Sequence, residues 1–306
     1  LNILRIKMYK NTHCDIINEN DNVIIGLGDS FTQGVEAYSL ETWKSITDNN
    51  PSTYNITGQH FIKEQGQNNW VRQLTKTYLP EYKTFNLGMN GGGNRSTIRE
   101  LYLAQSELPK KLNNVVVILL STGLERYDFL KKNDETAGVD WHQKWQTIFP
   151  IDPDNNNNNG RGPIAELDRA YFRHIWSERN DMLEFLFNIA EVQSYCDARG
   201  YKFLFGSVFE TRVNRKQILT VLDDKKQYID IIDWDNLIQI PNRDCFMDMI
   251  NQLEGNPYRA IHEIALLSQK SKMPSKYITP CWHWTIEGQK CVAEYLFNEL
   301  TKRKLI

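Results

Sequence analysis

Nowhere does this chain sustain the roughly 18 uninterrupted apolar residues of a membrane-spanning helix. Its opening, LNILRIKMYKNTHCD, holds no apolar core of signal-peptide length, so the expectation is a chain neither exported by that route nor spanning a membrane. Cysteine is scarce. The five are an odd number, scattered at Cys14, Cys196, Cys245, Cys281 and Cys291 without a C-x-x-C pair, which argues against a disulfide framework and a zinc knuckle alike. That usage fits the cytoplasm or another reducing compartment. An excess of one charge is missing too: a formal net charge of -2 offers no basic field to draw the chain to nucleic acid or an anionic membrane. His262-Glu263 begins an H-E-x-x-H pattern, but Leu266 stands where the second histidine belongs. No metal and no organic cofactor is expected.

What is present suits a sizeable core: 306 residues, 41% hydrophobic and 24% charged. Apolar runs at Val23 to Gly28, Val115 to Leu120 and Phe203 to Val208, with a weaker one at Tyr82 to Leu87, have the continuous character of buried parallel strands. Amphipathic stretches fall between them, through Trp70-Val71-Leu74-Tyr78, Ile98-Leu101-Tyr102 and Phe185-Ile189-Val192-Cys196, the last closed by Gly200. A final helix is expected from Ile286 to Leu300 behind Thr285 as N-cap. Strands alternating with helices predict a single α/β domain over residues 1–306, a parallel sheet covered on both faces. Two regions break the rhythm and read as insertions, at about 129–163, which contains IDPDNNNNNGRGP, and at about 234–277.

The first strand runs into GLGDSFTQG, Gly26 to Gly34. Such a turn holds a phosphate or presents a nucleophile, and the spacing discriminates. A dinucleotide fingerprint would need a glycine where Phe31 stands, and no G-K-[ST] follows to make a P-loop. The G-x-S-x-G elbow fails as well, because Thr32 occupies its last position. Gly-Asp-Ser-x-x-x-Gly remains. Its Ser30 lies at the carboxyl end of a strand, where open α/β sheets place their ligands, and becomes a nucleophile if a base is supplied. Among six histidines, His283 in CWHWTIEGQK stands immediately before the last helix, in a loop able to return to that edge. Asp29-Ser30 also reads as an ordinary helix cap, and His283 alone as an ordinary hydrogen-bonded histidine.

Taken together, GDSFTQG, NLGMNGGGN from Asn86 and HWTIEGQKCVAEYL resemble, in order and in strand setting, three blocks of the SGNH (GDSL-like) hydrolases. The resemblance spans nearly the whole chain apart from the two insertions. It implies a three-layer α/β/α sandwich with a flavodoxin-like parallel sheet, and serine ester hydrolysis without a cofactor. Carried over residue by residue, Ser30 is the nucleophile and one oxyanion donor through its N–H, Gly91 is a second donor, and His283 is the base. Asn94 is a candidate for a further side-chain donor. An O-acylated, above all O-acetylated, carbohydrate is the implied substrate class; Trp141, Trp145, Trp234, Trp282 and Trp284 offer rings for stacking on sugars, although each also reads as core.

Two departures weaken the pattern. Ser121-Thr122-Gly123-Leu124 follows the third strand where Gly-x-Asn-Asp is expected, so Gly123 replaces an asparagine donor; Thr122 and Arg126 are the nearby candidates to substitute for it. Three residues before His283 stands Pro280 instead of an acid, which leaves Asp233, Asp235 and Glu287 as distant candidates to orient the imidazole. The alternative is a binding or structural module on the same fold with weak chemistry or none.

Overall fold

Val23–Leu27, Val115–Leu120 and Phe203–Phe205 alternate their side chains between two faces, and each face has its own helical cover. The structure is a computed structural model; it describes residues 13–35, 37–49, 59–89, 92–124, 126–130, 145–148, 164–208, 215–241, 243, 245–254, 274–279 and 283–306. Gly91, Trp141, His262, Pro280, Cys281 and Trp282 lie outside those residues, as does most of the insertion expected at 129–163 and the stretch 255–273 of the other.

In chain order the elements are β1 (Asn22–Gly28), α1 (Ser30–Gln33), α2 (Leu40–Asn49), α3 (Gln59–Asn68), α4 (Trp70–Gln73, continuing as a π-turn Leu74–Tyr78), β2 (Tyr82–Asn86), α5 (Asn94–Ala104), β3 (Val115–Ser121), β4 (Tyr127–Leu130), β5 (Trp145–Ile148), α6 (Ile164–His174), α7 (Glu178–Asp197), β6 (Lys202–Ser207), α8 (Arg215–Val221), α9 (Lys226–Ile229), α10 (Phe246–Leu253) and α11 (Ile286–Lys302). The four long-expected strands form one parallel sheet in the order β2-β1-β3-β6, and β4 pairs antiparallel with β5 apart from it. A short segment adds to the far edge: Leu237 bridges Phe205 in parallel, and Ile238 N–H donates to the Phe205 carbonyl at 2.7 Å. The order is that of a flavodoxin-like doubly wound sheet, whose direction of winding reverses between β1 and β3.

One face buries Val23, Ile25, Leu27, Val117, Leu119 and Phe205 under α5, α7 and α8; the other buries Ile24, Val116, Ile118, Leu120 and Leu204 under α4, α10 and α11. Each fully buried aliphatic side chain contributes about 1.5–3 kcal/mol, so these two layers hold the sheet. α7 buries Phe185, Ile189, Val192 and Cys196, and ends where Gly200 takes φ +67. α11 buries Val292, Leu296 and Leu300 behind the Thr285 cap. On α5 the apolar face is narrower than the spacing predicts: Ile98 and Leu101 are buried, but Tyr102 is 48% exposed, lying edge-on against Tyr195 at the rim of the layer. The thiols of Cys196 and Cys245 are buried, and burial pushes both up to about 12, which makes them inert core groups.

His13 is fully buried beside β2 and α4, where Arg72 forms an ion pair with Asp15, and Asp15 also accepts from the Thr84 N–H at 2.7 Å. Burial, and then the Arg72 charge, pulls the imidazole down from 6.5 to about 3. Below pH 6.5 the unfolded chain therefore takes up a proton that the folded chain refuses, and stability declines until the pH approaches about 3. Above 6.5 the group has no effect. Urea unfolding at about pH 7.5, 6 and 5 is expected to show this loss, at up to ~1.4 kcal/mol per pH unit, and His13→Gln to flatten it. An unchanged slope in the variant would assign the uptake to another group.

Candidate active site

β1 ends in Gly28 at φ +155, and a Cβ built there would lie 2.2 Å from Thr32 Oγ1 and 2.7 Å from the Leu120 carbonyl. Only glycine lets the chain turn this sharply between two paired strands. The next residue, Asp29, is the N-cap of α1: its Oδ1 accepts from Phe31 N–H at 3.0 Å, so the ordinary capping reading holds for Asp29. Ser30 follows as the first helical residue, and its N–H, like those of every helix start, has no carbonyl within the helix to bond to.

The loop after β2 closes on this turn from the side. Met89 N–H donates to the Gly28 carbonyl at 3.0 Å, Gly88 N–H to Asn86 Oδ1 at 2.9 Å, and Asn86 Nδ2 to the Thr32 carbonyl at 2.7 Å. A Cβ on Gly88 would meet Gln33 N at 2.3 Å and the Thr32 carbonyl carbon at 2.6 Å, both backbone atoms. Within NLGMNGGGN, then, Gly88 is a glycine that the close approach to the serine turn demands.

His283 is presented by a backbone clasp. His283 N–H donates to Thr279 Oγ1 at 3.0 Å while Thr279 N–H donates to the His283 carbonyl at 2.8 Å; Thr285 N–H donates to the Tyr277 carbonyl at 2.9 Å, and Ile278 bridges Trp284. Thr285 then caps α11, its hydroxyl accepting from Gly288 N–H at 3.3 Å and donating to the Lys276 carbonyl at 2.6 Å. Trp284 is fully buried against Phe31 and Phe246, so its ring is core. Trp234, bonded through Nε1 to the Ile229 carbonyl and packed on Phe205, is likewise structural.

From this clasp the imidazole reaches the serine turn: His283 Nε2 lies 2.8 Å from Ser30 Oγ, and the His283 ring rests on Phe31 with centroids 5.0 Å apart. A serine hydroxyl and an imidazole at that distance can exchange a proton during attack on a carbon electrophile. Asp233 caps the turn Trp234–Asn236, Asp235 is exposed on that turn, and Glu287 pairs with Lys290 at 2.8 Å. The Asp233 and Glu287 carboxylates are therefore engaged within their own turn or helix, and Asp235 lies exposed.

The remaining candidates gather on the β3 side. Asn94 opens α5 and is buried; its Oδ1 accepts from Thr122 N–H at 3.1 Å and its Nδ2 reaches the Gly123 carbonyl at 3.5 Å, which ties its amide to the loop after β3. Thr122 Oγ1 is buried with no hydrogen-bond partner among the described residues. Arg126 is no ordinary surface cation: its Nη1 donates to Oδ2 of the buried Asp29 at 3.0 Å, and the Arg126 side chain is only 17% exposed. Sequence reasoning missed that pairing, because nothing in GLERYDF distinguishes this arginine from a solvated one. No group of three or more metal-ligating side chains occurs among the described residues, and none of their helices is long and apolar enough to cross a membrane.

No family model and no curated protein matches the chain. Its neighbours among solved structures are GDSL-type lipolytic proteins and acetylxylan esterases. They include a lipolytic protein of the G-D-S-L family from Desulfitobacterium hafniense DCB-2, 11% identical, aligned over 91% of this chain and 99% of that one with a TM-score of 0.40. The psychrotrophic esterase EstA from a Pseudoalteromonas species is 12% identical over 92% and 98% of the two chains, with a TM-score of 0.41. A catalytic mutant of an acetylxylan esterase from Geobacillus stearothermophilus is 12% identical over 92% and 95%, with a TM-score of 0.35. These are distant similarities of fold; the chemistry rests on the site itself.

Because Gly88 touches backbone on α1, Gly88→Ala is expected to push the two segments apart and to destabilise the protein by about 1–3 kcal/mol. Thermal unfolding measures this, and a midpoint equal to that of the unmodified protein would contradict the close approach.

Proposed function

We propose that the protein is a serine ester hydrolase in which Ser30 forms the acyl-enzyme and His283 is the general base. The observation that carries this reading is the 2.8 Å contact between Ser30 Oγ and His283 Nε2 at the carboxyl edge of the sheet. In the productive tautomer Nε2 accepts the serine proton as Oγ attacks the ester carbonyl, and Nδ1 carries the other ring proton. The tetrahedral oxyanion needs donors already aimed at it. The Ser30 N–H is one, and the resemblance assigns Gly91 N–H as the second. Collapse expels the alcohol, which takes the proton from Nε2; water then attacks the acyl-enzyme by the same route and restores Ser30.

Asn94, Thr122 and Arg126 are assigned supporting roles in this proposal. Asn94 holds the loop after β3 through the Thr122 N–H, and Arg126 neutralises the Asp29 carboxylate beside the nucleophile. Without that cation a buried negative charge would sit next to the forming oxyanion and oppose it. The proposed substrate is an O-acetylated carbohydrate, supported by the motif resemblance and by Trp282 next to the base in the chain, with Trp141 and Trp145 in one insertion.

A fluorophosphonate probe is expected to label the protein at Ser30, and Ser30→Ala to abolish both labelling and cleavage of a small activated ester. His283→Ala is expected to slow labelling by about 10²- to 10⁴-fold, the usual contribution of a positioned base. Mass spectrometry of the labelled peptide reads the site. Absence of labelling, together with binding of an acetylated oligosaccharide that is never deacetylated, would support a non-catalytic binding module instead.

A further inference from the structure

Gln289, the fourth residue of α11 and six positions beyond His283, is fully buried. Its Oε1 accepts from the Trp70 N–H at 2.8 Å, and its Nε2 donates to the Phe31 carbonyl at 3.1 Å. Both partners are backbone groups at the ends of short helices: Trp70 is the first residue of α4, and Phe31 belongs to α1, directly after Ser30. Such groups have no partner within their own helix. A side-chain amide that donates on one edge and accepts on the other suits this pair, one partner being a carbonyl and the other an N–H. The helix that follows the base is thereby pinned to the backbone of the nucleophile turn, and the Phe31 ring already lies against His283.

We infer that Gln289 is a positioning residue: by joining α11 to the Phe31 carbonyl it sets the separation of Ser30 Oγ and His283 Nε2. This rests on the proposed roles of Ser30 and His283 for its kinetic consequences, but its geometric claim stands apart from them. Substrate makes no contact with Gln289, which is sealed in the interior. Its loss acts on the reaction only through the serine and the histidine.

Two variants separate positioning from bulk packing. Gln289→Met keeps most of the volume and removes both hydrogen bonds. Gln289→Glu keeps the shape, and when protonated its carboxyl still donates to the Phe31 carbonyl and accepts from Trp70; when ionised it faces that carbonyl with a second acceptor. Burial favours the protonated form, so this variant works at low pH and fails as the pH rises. With an activated ester, well below each variant's unfolding midpoint, Gln289→Met is expected to lower kcat by about 10- to 100-fold with KM nearly unchanged, the scale of a small misplacement of reacting groups. For Gln289→Glu, the ratio of its kcat to that of the unmodified enzyme is expected to fall at least about 10-fold between about pH 6.5 and 8.5. A kcat unchanged in both variants, or a ratio flat with pH, overturns the inference.

A second readout does not depend on catalysis. In protein labelled with ¹⁵N-histidine, the His283 Nε2 resonance reports its hydrogen bond to Ser30, and Ser30→Ala gives the spectrum of the broken bond. Gln289→Met is expected to move the His283 signals toward those of Ser30→Ala; signals that stay at the unmodified position overturn the inference, even in a protein that proves to have no esterase activity. Should Gln289→Met fail to fold, Gln289→Glu at the two pH values supplies the same comparison.

Discussion

Strand β1 hydrogen-bonds to a parallel partner on each edge, Tyr82–Asn86 on one and Val115–Ser121 on the other, with Gly26 opposite Asn86 and Gly28 opposite Leu120. The chain leaving β1 must turn between them, and Gly28 and Asp29 make that turn. The winding direction reverses here, which is where doubly wound sheets place their ligands. Ser30 stands at that switch point, with Met89 bonded to Gly28 on one flank and Thr122 bonded to Asn94 on the other. Moving either neighbouring strand by one residue would turn its side chains to the wrong layer, so the apolar alternation protects the position of the serine.

α1 has only four residues and is too short to be stable by itself. Its shape is imposed by its own N-cap, Asp29, and by two groups from distant segments: Asn86 on the Thr32 carbonyl and Gln289 on the Phe31 carbonyl. Each comes from a different part of the chain, and each satisfies a backbone group that would otherwise be buried without a partner. Arg126 adds an ion pair at this turn, with a carboxylate that is 1% exposed. Removing one member of such a pair is far more damaging than never having had it, since the remaining charge stays buried. Backbone groups satisfied in this way hold Ser30 in one place, as the preorganised chemistry proposed for it needs.

The four strands, the Thr285 cap and the apolar faces of α7 and α11 were legible because each depends on neighbours close in sequence, within a period of two or of three to four residues. Ser30 and His283 were legible for a related reason: both stand at element boundaries, one after a strand and one before a capped helix, where local pattern is strongest. The Asp29 partner of Arg126, and the roles of Gly88 and Gln289, were not. An arginine in a loop, a glycine among several and a glutamine on an amphipathic helix acquire meaning only from what lies opposite, and in each case that is backbone or carboxylate from a distant segment. Tyr102 shows the converse: its helical phase was right, but the width of the buried stripe depends on how closely α7 approaches.

What the sequence determined by itself is the four strands of the sheet and the helices α4, α5, α7 and α11, their alternation into a two-faced parallel sheet, and the presence of a serine and a histidine at places where chains leave such elements. Whether the two meet was decided by tertiary structure. They are 253 positions apart, and their 2.8 Å contact requires the strand order β2-β1-β3-β6, the clasp between Thr279 and His283, and the docking of α11 on α1 through Gln289. The physical reason is that hydrophobic periodicity is a local and non-directional signal, sufficient to choose a layer, whereas a hydrogen bond between two side chains demands a particular separation and angle that only the packed layers can supply.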